Sequence, residues 1–211
     1  MTIRKSGVLT FAVLFLLLNN CFEFSSLQSA KLLAPNELTI MPEYSSVMYT
    51  HTGDFKYVSN SIGFQCGYGL TNSFNGYVTY ARLEIPEYNI GYNYFCMEPK
   101  FGLVKNSISF SLPICAYFGE NVGFLESVNS QPTLYCTYSA NNIFDITIAP
   151  KAVVFIPSFK TFLAINFNTG IHLFSNKVLL VPEMGYAFNP TGKDQFIIGS
   201  FGVGFKYCFP K

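Results

Sequence analysis

The chain has 211 residues, enough for one domain, and all-β barrels of this size are routinely undivided. Its residues are 50% hydrophobic and 18% aromatic but only 12% charged, about half the charged share of an ordinary soluble domain, so something other than a conventional core must take up apolar surface. The formal charge is +1, acidic and basic side chains nearly balance once Arg4 and Lys5 are set aside, and no basic run occurs, which excludes nucleic acid as a partner.

The first residues read as an export leader: Arg4 and Lys5 precede an apolar run over residues 8–18, followed by Asn19, Asn20 and Cys21. That run is too short to span a bilayer as a helix. Leu18 and Cys21 stand where a bacterial lipoprotein signal has its Leu and its acylated Cys, although Asn20 departs from the small residue usual before that Cys. Cys21 is thus the expected lipidation site, and buried acyl chains at about 0.8 kcal/mol per CH₂ would tie the chain to the membrane. The alternative is an unmodified Cys21 in a leader cut later, after Ala30. The expected organisation is a signal peptide over 1–20, a periplasmic linker over 21–36 and a β-barrel domain over 37–211.

From residue 37 the hydrophobicity comes in alternating pieces. Strands are predicted at 37–49, 57–70, 74–84, 92–104, 107–119, 131–139, 143–156, 161–173, 177–187 and 195–209. Short turns centred on Asn72-Ser73, Lys105-Asn106, Asn141-Asn142 and Ser175-Asn176 join alternate pairs with residues that tolerate turn dihedrals. The opposite connections, at 51–56, 85–91, 120–130 and 188–194 with a tighter one at 157–160, read as longer loops. One tight edge and one loose edge are the pattern of a ten-stranded antiparallel up-and-down transmembrane β-barrel.

Strand side chains alternate between faces, so a barrel wall should sort them. In the last strand Phe201, Val203, Phe205, Tyr207 and Phe209 oppose Ser200, Gly202, Gly204, Lys206 and Cys208; the seventh sets Phe144, Ile146, Ile148 and Pro150 against Asp145, Thr147, Ala149 and Lys151. A two-residue turn at Lys105-Asn106 would pair Phe101 with Phe110, Pro99 with Leu112, Met97 with Ile114 and Phe95 with Ala116, an apolar stripe suited to lipid. It would also set Lys100 opposite Ser111 and Cys96 opposite Cys115. The third and eighth strands fit less cleanly, because Arg82 falls with Val78 and Tyr80 and needs a bulge or an interfacial position.

Four times a proline sits beside an ionisable residue in mid-strand: Met41-Pro42-Glu43, Glu98-Pro99-Lys100, Ala149-Pro150-Lys151 and Val181-Pro182-Glu183. Proline cannot donate to a ladder, so bulges or loosened pairing are expected there. Period two turns the charges inward, and Glu43, Glu98, Lys100, Asp145, Lys151, Glu183 and Lys206 form a candidate lumen belt. The charges are expected to pair with one another and plug the barrel, with a selectivity filter as the alternative role. Cys96 and Cys115 stand opposite as a possible disulfide, but strained cross-strand geometry favours two free thiols. No spacing suits a metal, and no cofactor is expected. Of the two histidines, His51 with Asp54 and Glu120 is the nearest approach to catalytic chemistry, His172 lies at the opposite edge, and no catalytic residue is assigned.

These residues resemble a family of small outer-membrane β-barrel proteins, lipoprotein-like, of Bacteroidota-type bacteria and mostly without assigned function. The likeness rests on the leader with Cys21, Leu27-Gln28-Ser29-Ala30-Lys31, Gly67-Tyr68-Gly69-Leu70-Thr71, Glu98-Pro99-Lys100, Phe110-Ser111-Leu112-Pro113, Ala149-Pro150-Lys151, Pro182-Glu183-Met184-Gly185-Tyr186 and the aromatic last strand. The chain departs from it in its strand cysteines and in Pro210-Lys211 after Phe209. The resemblance implies fold and location: a Gram-negative outer membrane, both termini periplasmic, lipid and the barrel-assembly machinery as partners. The expected protein is a non-enzymatic monomer with a structural or loop-display role and a side-chain-filled lumen. The alternatives are a narrow pore for small solutes and a lipid-anchored periplasmic barrel holding an apolar ligand.

Overall fold

A computed structural model of the chain describes residues 25–51, 54–119, 123–156, 158–174, 177–190, 192 and 195–208. Twelve strand segments run in order: β1 (Glu37–His51), β2 (Asp54–Gly69), β3 (Phe74–Ile85), β4 (Ile90–Val104), β5 (Ile108–Ser111), β6 (Ile114–Gly119), β7 (Asn129–Ser130), β8 (Thr133–Ser139), β9 (Phe144–Phe155), β10 (Thr161–Leu173), β11 (Val178–Phe188) and β12 (Gln195–Cys208). Both β5 and β6 pair with β4, and both β7 and β8 pair with β9, so each couple is one interrupted stave. Twelve segments thus make ten staves, and the β1–β12 ladder closes them into an antiparallel barrel. The interruptions fall at Leu112-Pro113 and Gln131-Pro132, where proline lacks a ladder donor; Gln131 N–H still bonds the Pro113 carbonyl at 3.0 Å.

The mid-strand prolines loosen pairing without shifting it. Around Pro42 the β1–β12 ladder runs from Ile40↔Phe205 directly to Glu43↔Gly202, in one register. Opposite Pro182 the β10–β11 ladder passes from Asn168↔Glu183 to Ile171↔Leu180, again in register. The register shifts lie elsewhere, at Val47/Met48 and at Gly102/Val104. The second of these corrects the predicted turn. Val104 pairs with Ile108, Ser107 N–H bonds the Val104 carbonyl at 3.0 Å, and Asn106 takes a left-handed φ of 59°. The turn is one residue longer than expected, and the irregularity at Leu103 absorbs the difference. The predicted pairs Phe101↔Phe110, Lys100↔Ser111, Met97↔Ile114, Cys96↔Cys115 and Phe95↔Ala116 therefore all occur.

The tight-edge, loose-edge contrast is weaker than the sequence suggests. His51 pairs with Asp54, so the expected loop over 51–56 is mostly strand, and the connection at 86–89 holds only a short 3₁₀ turn, Pro86–Tyr88. The longest connection is 120–128, with a 3₁₀ turn at Phe124–Ser127.

Side-chain polarity divides the barrel along its axis. In the half nearer the turns, the outer face carries Phe64, Met97, Phe101, Ile114, Ile146, Met184 and Phe205, all exposed, while Gln65, Asn75, Lys100, Ser111, Thr147 and Asn168 are buried inside. In the half nearer the loops, the interior is an apolar cluster of Ala81, Leu83, Ile85, Tyr92, Tyr117, Val153, Phe155, Phe162, Phe196 and Ile198. There β3 turns Arg82 and Glu84 outward with no break in alternation or register. The misfit in the third strand is thus not a bulge: Arg82 and Glu84 point outward where the barrel encloses an apolar core.

Residues 25–33, expected to be part of a linker, run inside the turn-edge half. Ala34-Pro35-Asn36-Glu37 reverses the chain into β1; Glu37 N–H bonds the Ala34 carbonyl at 2.9 Å, and Asn36 has φ of 66°. Proline followed by a residue at positive φ is the signature of a type II turn. Asn36 N–H bonds the Gly69 carbonyl at 2.9 Å, and a Cβ on Gly69 would meet the Ala34 carbonyl oxygen at 2.0 Å. Only glycine lets the turn lie against β2. Replacing it by valine should cost about 1–3 kcal/mol of stability. Urea titration in lipid vesicles, read by gel migration of folded against unfolded protein, should show a lowered midpoint for Gly69→Val; an unchanged midpoint would mean that the turn does not seat there.

Candidate functional site in the barrel lumen

Every residue from 25 to 30 presents one main-chain group to a lumen side chain. The Ser25 carbonyl accepts from Lys151 Nζ at 3.0 Å; Ser26 N–H and Leu27 N–H donate to the two oxygens of Glu183 at 2.8 and 2.9 Å. The Gln28 carbonyl accepts from Asn168 Nδ2 at 2.9 Å, the Ser29 carbonyl accepts from Lys100 Nζ, and Ala30 N–H donates to Thr137 Oγ1 at 2.6 Å. Further along, Asn75, with its amide oriented so that Oδ1 faces Leu33, accepts from the Leu33 N–H at 2.6 Å. The donors and acceptors come from β3, β4, β8, β9, β10 and β11, so much of the barrel's circumference contributes.

Side chains of the segment add fewer contacts. The Gln28 amide donates from Nε2 to Glu98 at 2.8 Å and accepts at Oε1 from Lys100 at 2.9 Å, spanning an anion and a cation two residues apart on β4. Lys100, fully buried, lies over the Tyr135 ring at 4.2 Å, and Tyr135 OH donates to the other Glu98 oxygen at 3.0 Å. Asn166 Nδ2 reaches Ser26 Oγ at 3.2 Å and Glu183 at 3.1 Å. Leu27 packs with Met41 and Val181, and Ala30 with Tyr135 and Ala149. At the turn edge Lys31 Nζ meets Asp145 at 2.7 Å, and the other Asp145 oxygen holds His172 Nε2 at 2.5 Å.

Six of the seven belt residues, Glu43, Glu98, Lys100, Asp145, Lys151 and Glu183, are buried in the lumen. Lys206 stands at the rim, 3.8 Å from Glu37. Glu98, Lys100, Asp145, Lys151 and Glu183 each bond a residue of the segment 25–31, a set of partners additional to the expected pairing of belt charges with one another. The reason is physical: a carboxylate or ammonium buried on a rigid wall needs hydrogen bonds at fixed places, and a chain threaded past it supplies them. Beside Ser25 a cavity lined by Glu43, Gln65, Thr79, Tyr94, Glu98 and Lys151 holds about 20 Å³, room for a water molecule and little more. His172, isolated in the sequence, is brought next to Asp145 by the β9–β10 pairing Gly170↔Asp145 and Ile171↔Phe144.

Cys96 and Cys115 are joined as a disulfide between β4 and β6, with Cα atoms 4.0 Å apart. Cys66 and Cys136 are free and lie on the outer face. Among the described residues no group of three metal-ligating side chains occurs. The side chains of His51, Asp54 and Glu120, and all of Cys21, lie outside the described residues.

No family model and no curated protein matches this chain. Among solved structures it is similar to the translocator domain of the autotransporter NalP from Neisseria meningitidis, with 7% identity, a TM-score of 0.47 and 96% of each chain covered. It is also similar to the N-terminal barrel domain of OprF from Pseudomonas aeruginosa (11% identity, TM-score 0.37, 83% of this chain and 100% of that one) and to the attachment invasion locus protein Ail of Yersinia pestis (10%, 0.37, 82% and 99%). These are distant likenesses, and the architecture stated above stands on the strand pairing of this chain.

Two outcomes follow from the lumen contacts. Lys100→Met should cost about 3–5 kcal/mol, because it leaves Glu98 buried beside a lost cation. The double variant Lys100→Met/Glu98→Gln should recover part of that loss, and additive losses in the same urea titration would contradict the coupling. The mature protein should also retain residues 25–30, whose removal would strip hydrogen-bonding partners from Lys100, Thr137, Lys151, Asn168 and Glu183. Intact-mass measurement of purified protein should place its N-terminus at or before Ser25; a chain beginning at Lys31 would refute the arrangement.

Proposed function

We propose that this chain is an integral outer-membrane β-barrel protein, closed to solutes, with a structural role and only a small surface for display. The observation that carries this reading is the combination of an apolar outer band around the turn-edge half with a lumen filled twice over. Residues 25–31 occupy the polar half, and the apolar cluster occupies the loop-edge half. A polar interior and an apolar exterior suit hydrocarbon outside and not a lipocalin-like apolar ligand inside. That arrangement weighs against the lipid-anchored ligand carrier.

The resemblance to small barrels of Bacteroidota-type bacteria belongs to this proposal, as do a monomeric state and insertion by the barrel-assembly machinery. With an even number of staves both ends of the barrel domain lie on one side, taken here as the periplasm, and the connections at 86–89, 120–128 and 189–194 face outward. Their modest length limits a display role. A solute pore would need both fillings to leave.

Purified outer membranes should contain a band whose gel migration shifts on heating and which resists carbonate extraction. In planar bilayers the full-length protein should give no sustained conductance. Carbonate release would defeat the integral reading, and stable ohmic channels from the unaltered protein would favour the pore.

A further inference from the structure

We infer that the bilayer is thinner against the β2–β4 wall than against the β9–β11 wall, because lipid headgroups and their water dip to reach Arg82 and Glu84 on the outer face of β3. The inference deepens the integral-barrel reading and rests on it. Strand order sets β3 and β10 on opposite sides of the barrel. Toward the turn edge both walls are apolar outside, with Leu70, Val78 and Phe101 exposed on one and Phe144, Phe167 and Met184 on the other. Farther up they differ. On β9 every outward residue from Phe144 to Ile156 is apolar, and among the described residues no ionisable side chain stands on the outer face of β9, β10 or β11. On β3 the apolar run ends at Tyr80, and Arg82 and Glu84 follow, both exposed. Asn93 and Asn60 flank them as the ladder partners of Arg82 and Glu84.

At about 3.3 Å per residue and a strand tilt of about 40°, the apolar run is about 15 Å tall on β3 and about 30 Å tall on β9. Glu84 stands as far from the turn-edge end of its strand as Val154, Leu163 and Phe188 stand from theirs, so a bilayer matched to β9 would hold both Arg82 and Glu84 in hydrocarbon. Tilting the barrel does not reconcile the walls, because a flat slab cuts opposite walls over equal lengths. A charge at hydrocarbon depth is costly, and a wall short in apolar height is accommodated by thinning the bilayer beside it. Arg82 is already turned toward the loop edge. Its guanidinium lies against the main chain of Gly91, the ladder partner of Glu84, where a Cβ would meet Nη2 at 2.1 Å. Long cationic side chains reach for an interface in this way, but the shorter Glu84 cannot climb as far, so the headgroups come down to it. Just below, Tyr80 OH donates to Asn93 Oδ1 at 2.9 Å, an amphipathic aromatic of the kind that marks a membrane boundary.

The chain has no tryptophan, so single substitutions report depth one position at a time. Full-length Asn60→Trp, beside Glu84, and Leu163→Trp, beside Phe188, are folded into phosphatidylcholine vesicles with and without bromine at mid-chain, and acrylamide serves as the aqueous quencher. Met184→Trp, within the apolar band, is the control. Bromine should quench Leu163→Trp and Met184→Trp about twofold or more and Asn60→Trp by less than about a tenth, with acrylamide giving the reverse order. Adding Arg82→Leu/Glu84→Leu to Asn60→Trp should bring its bromine quenching up to that of Leu163→Trp. Equal bromine quenching of Asn60→Trp and Leu163→Trp in the otherwise unaltered protein would overturn the inference. So would shielding of Asn60→Trp from both quenchers, which would mean that a second copy or another protein covers Arg82 in place of headgroups. Each variant is checked for heat-shifted migration, and where Asn60→Trp or Leu163→Trp fails to fold, Tyr57→Trp or Phe188→Trp takes its place. Failure of bromine to quench Met184→Trp would instead defeat the integral reading, so the two failures are distinguishable.

Discussion

The barrel depends on how its buried charges are satisfied. Glu183, Lys100 and Lys151 sit on strands whose positions are locked by ladders on both sides, so they cannot move to find partners. Water could solvate them only in an open lumen, and the cavity beside Ser25 is too small for a continuous water path. The main chain of residues 25–30 is what remains, and it supplies N–H donors at Ser26, Leu27 and Ala30 and carbonyl acceptors at Ser25, Gln28 and Ser29. The type II turn at Pro35-Asn36, the bare backbone of Gly69 and the small side chains of Ser111 and Thr137 all follow from making room for that chain.

The axial change in polarity follows from the same constraint. Where the outer face is apolar the interior is polar, and the segment fills it. Where Arg82 and Glu84 face outward, the interior is apolar and fills itself with Tyr92, Tyr117, Phe155, Phe162 and Phe196. The disulfide Cys96–Cys115 lies in that apolar cluster on β4, one alternation above Glu98 and two above Lys100. One strand thus passes from charge grip to apolar core within a few residues.

Much of the wall was legible in the sequence. Period-two alternation put Phe144, Ile146 and Ile148 outside and Asp145, Thr147 and Lys151 inside, and the 105 turn aligned Cys96 with Cys115 even though its length was misjudged. That error did no harm because the irregularity at Leu103 restored the register. The belt residues were legible too, since an ionisable residue beside a mid-strand proline has few explanations. The occupant was not. Residues 25–31 lack alternation and sit after a leader, so pattern reading assigns them to a linker; much of their role is carried by main-chain groups, which leave no mark in side-chain composition. The Pro35-Asn36 turn was the available signal, because a sharp reversal immediately before the first strand sends the preceding chain back along the barrel wall instead of away from it. Loop lengths on the opposite edge were overestimated for a similar reason: polar residues such as Lys56 sit within a strand that extends beyond the apolar band.

Hydrogen exchange in the membrane-embedded full-length protein tests the central claim most directly. If Glu183 and Thr137 hold the segment, the amides of Ser26, Leu27 and Ala30 should exchange as slowly as those of the neighbouring strands, and Glu183→Gln should speed Ser26 and Leu27 while leaving strand amides protected. Exchange of all three at the rate of a free chain, in a barrel whose strands remain protected, would contradict the account.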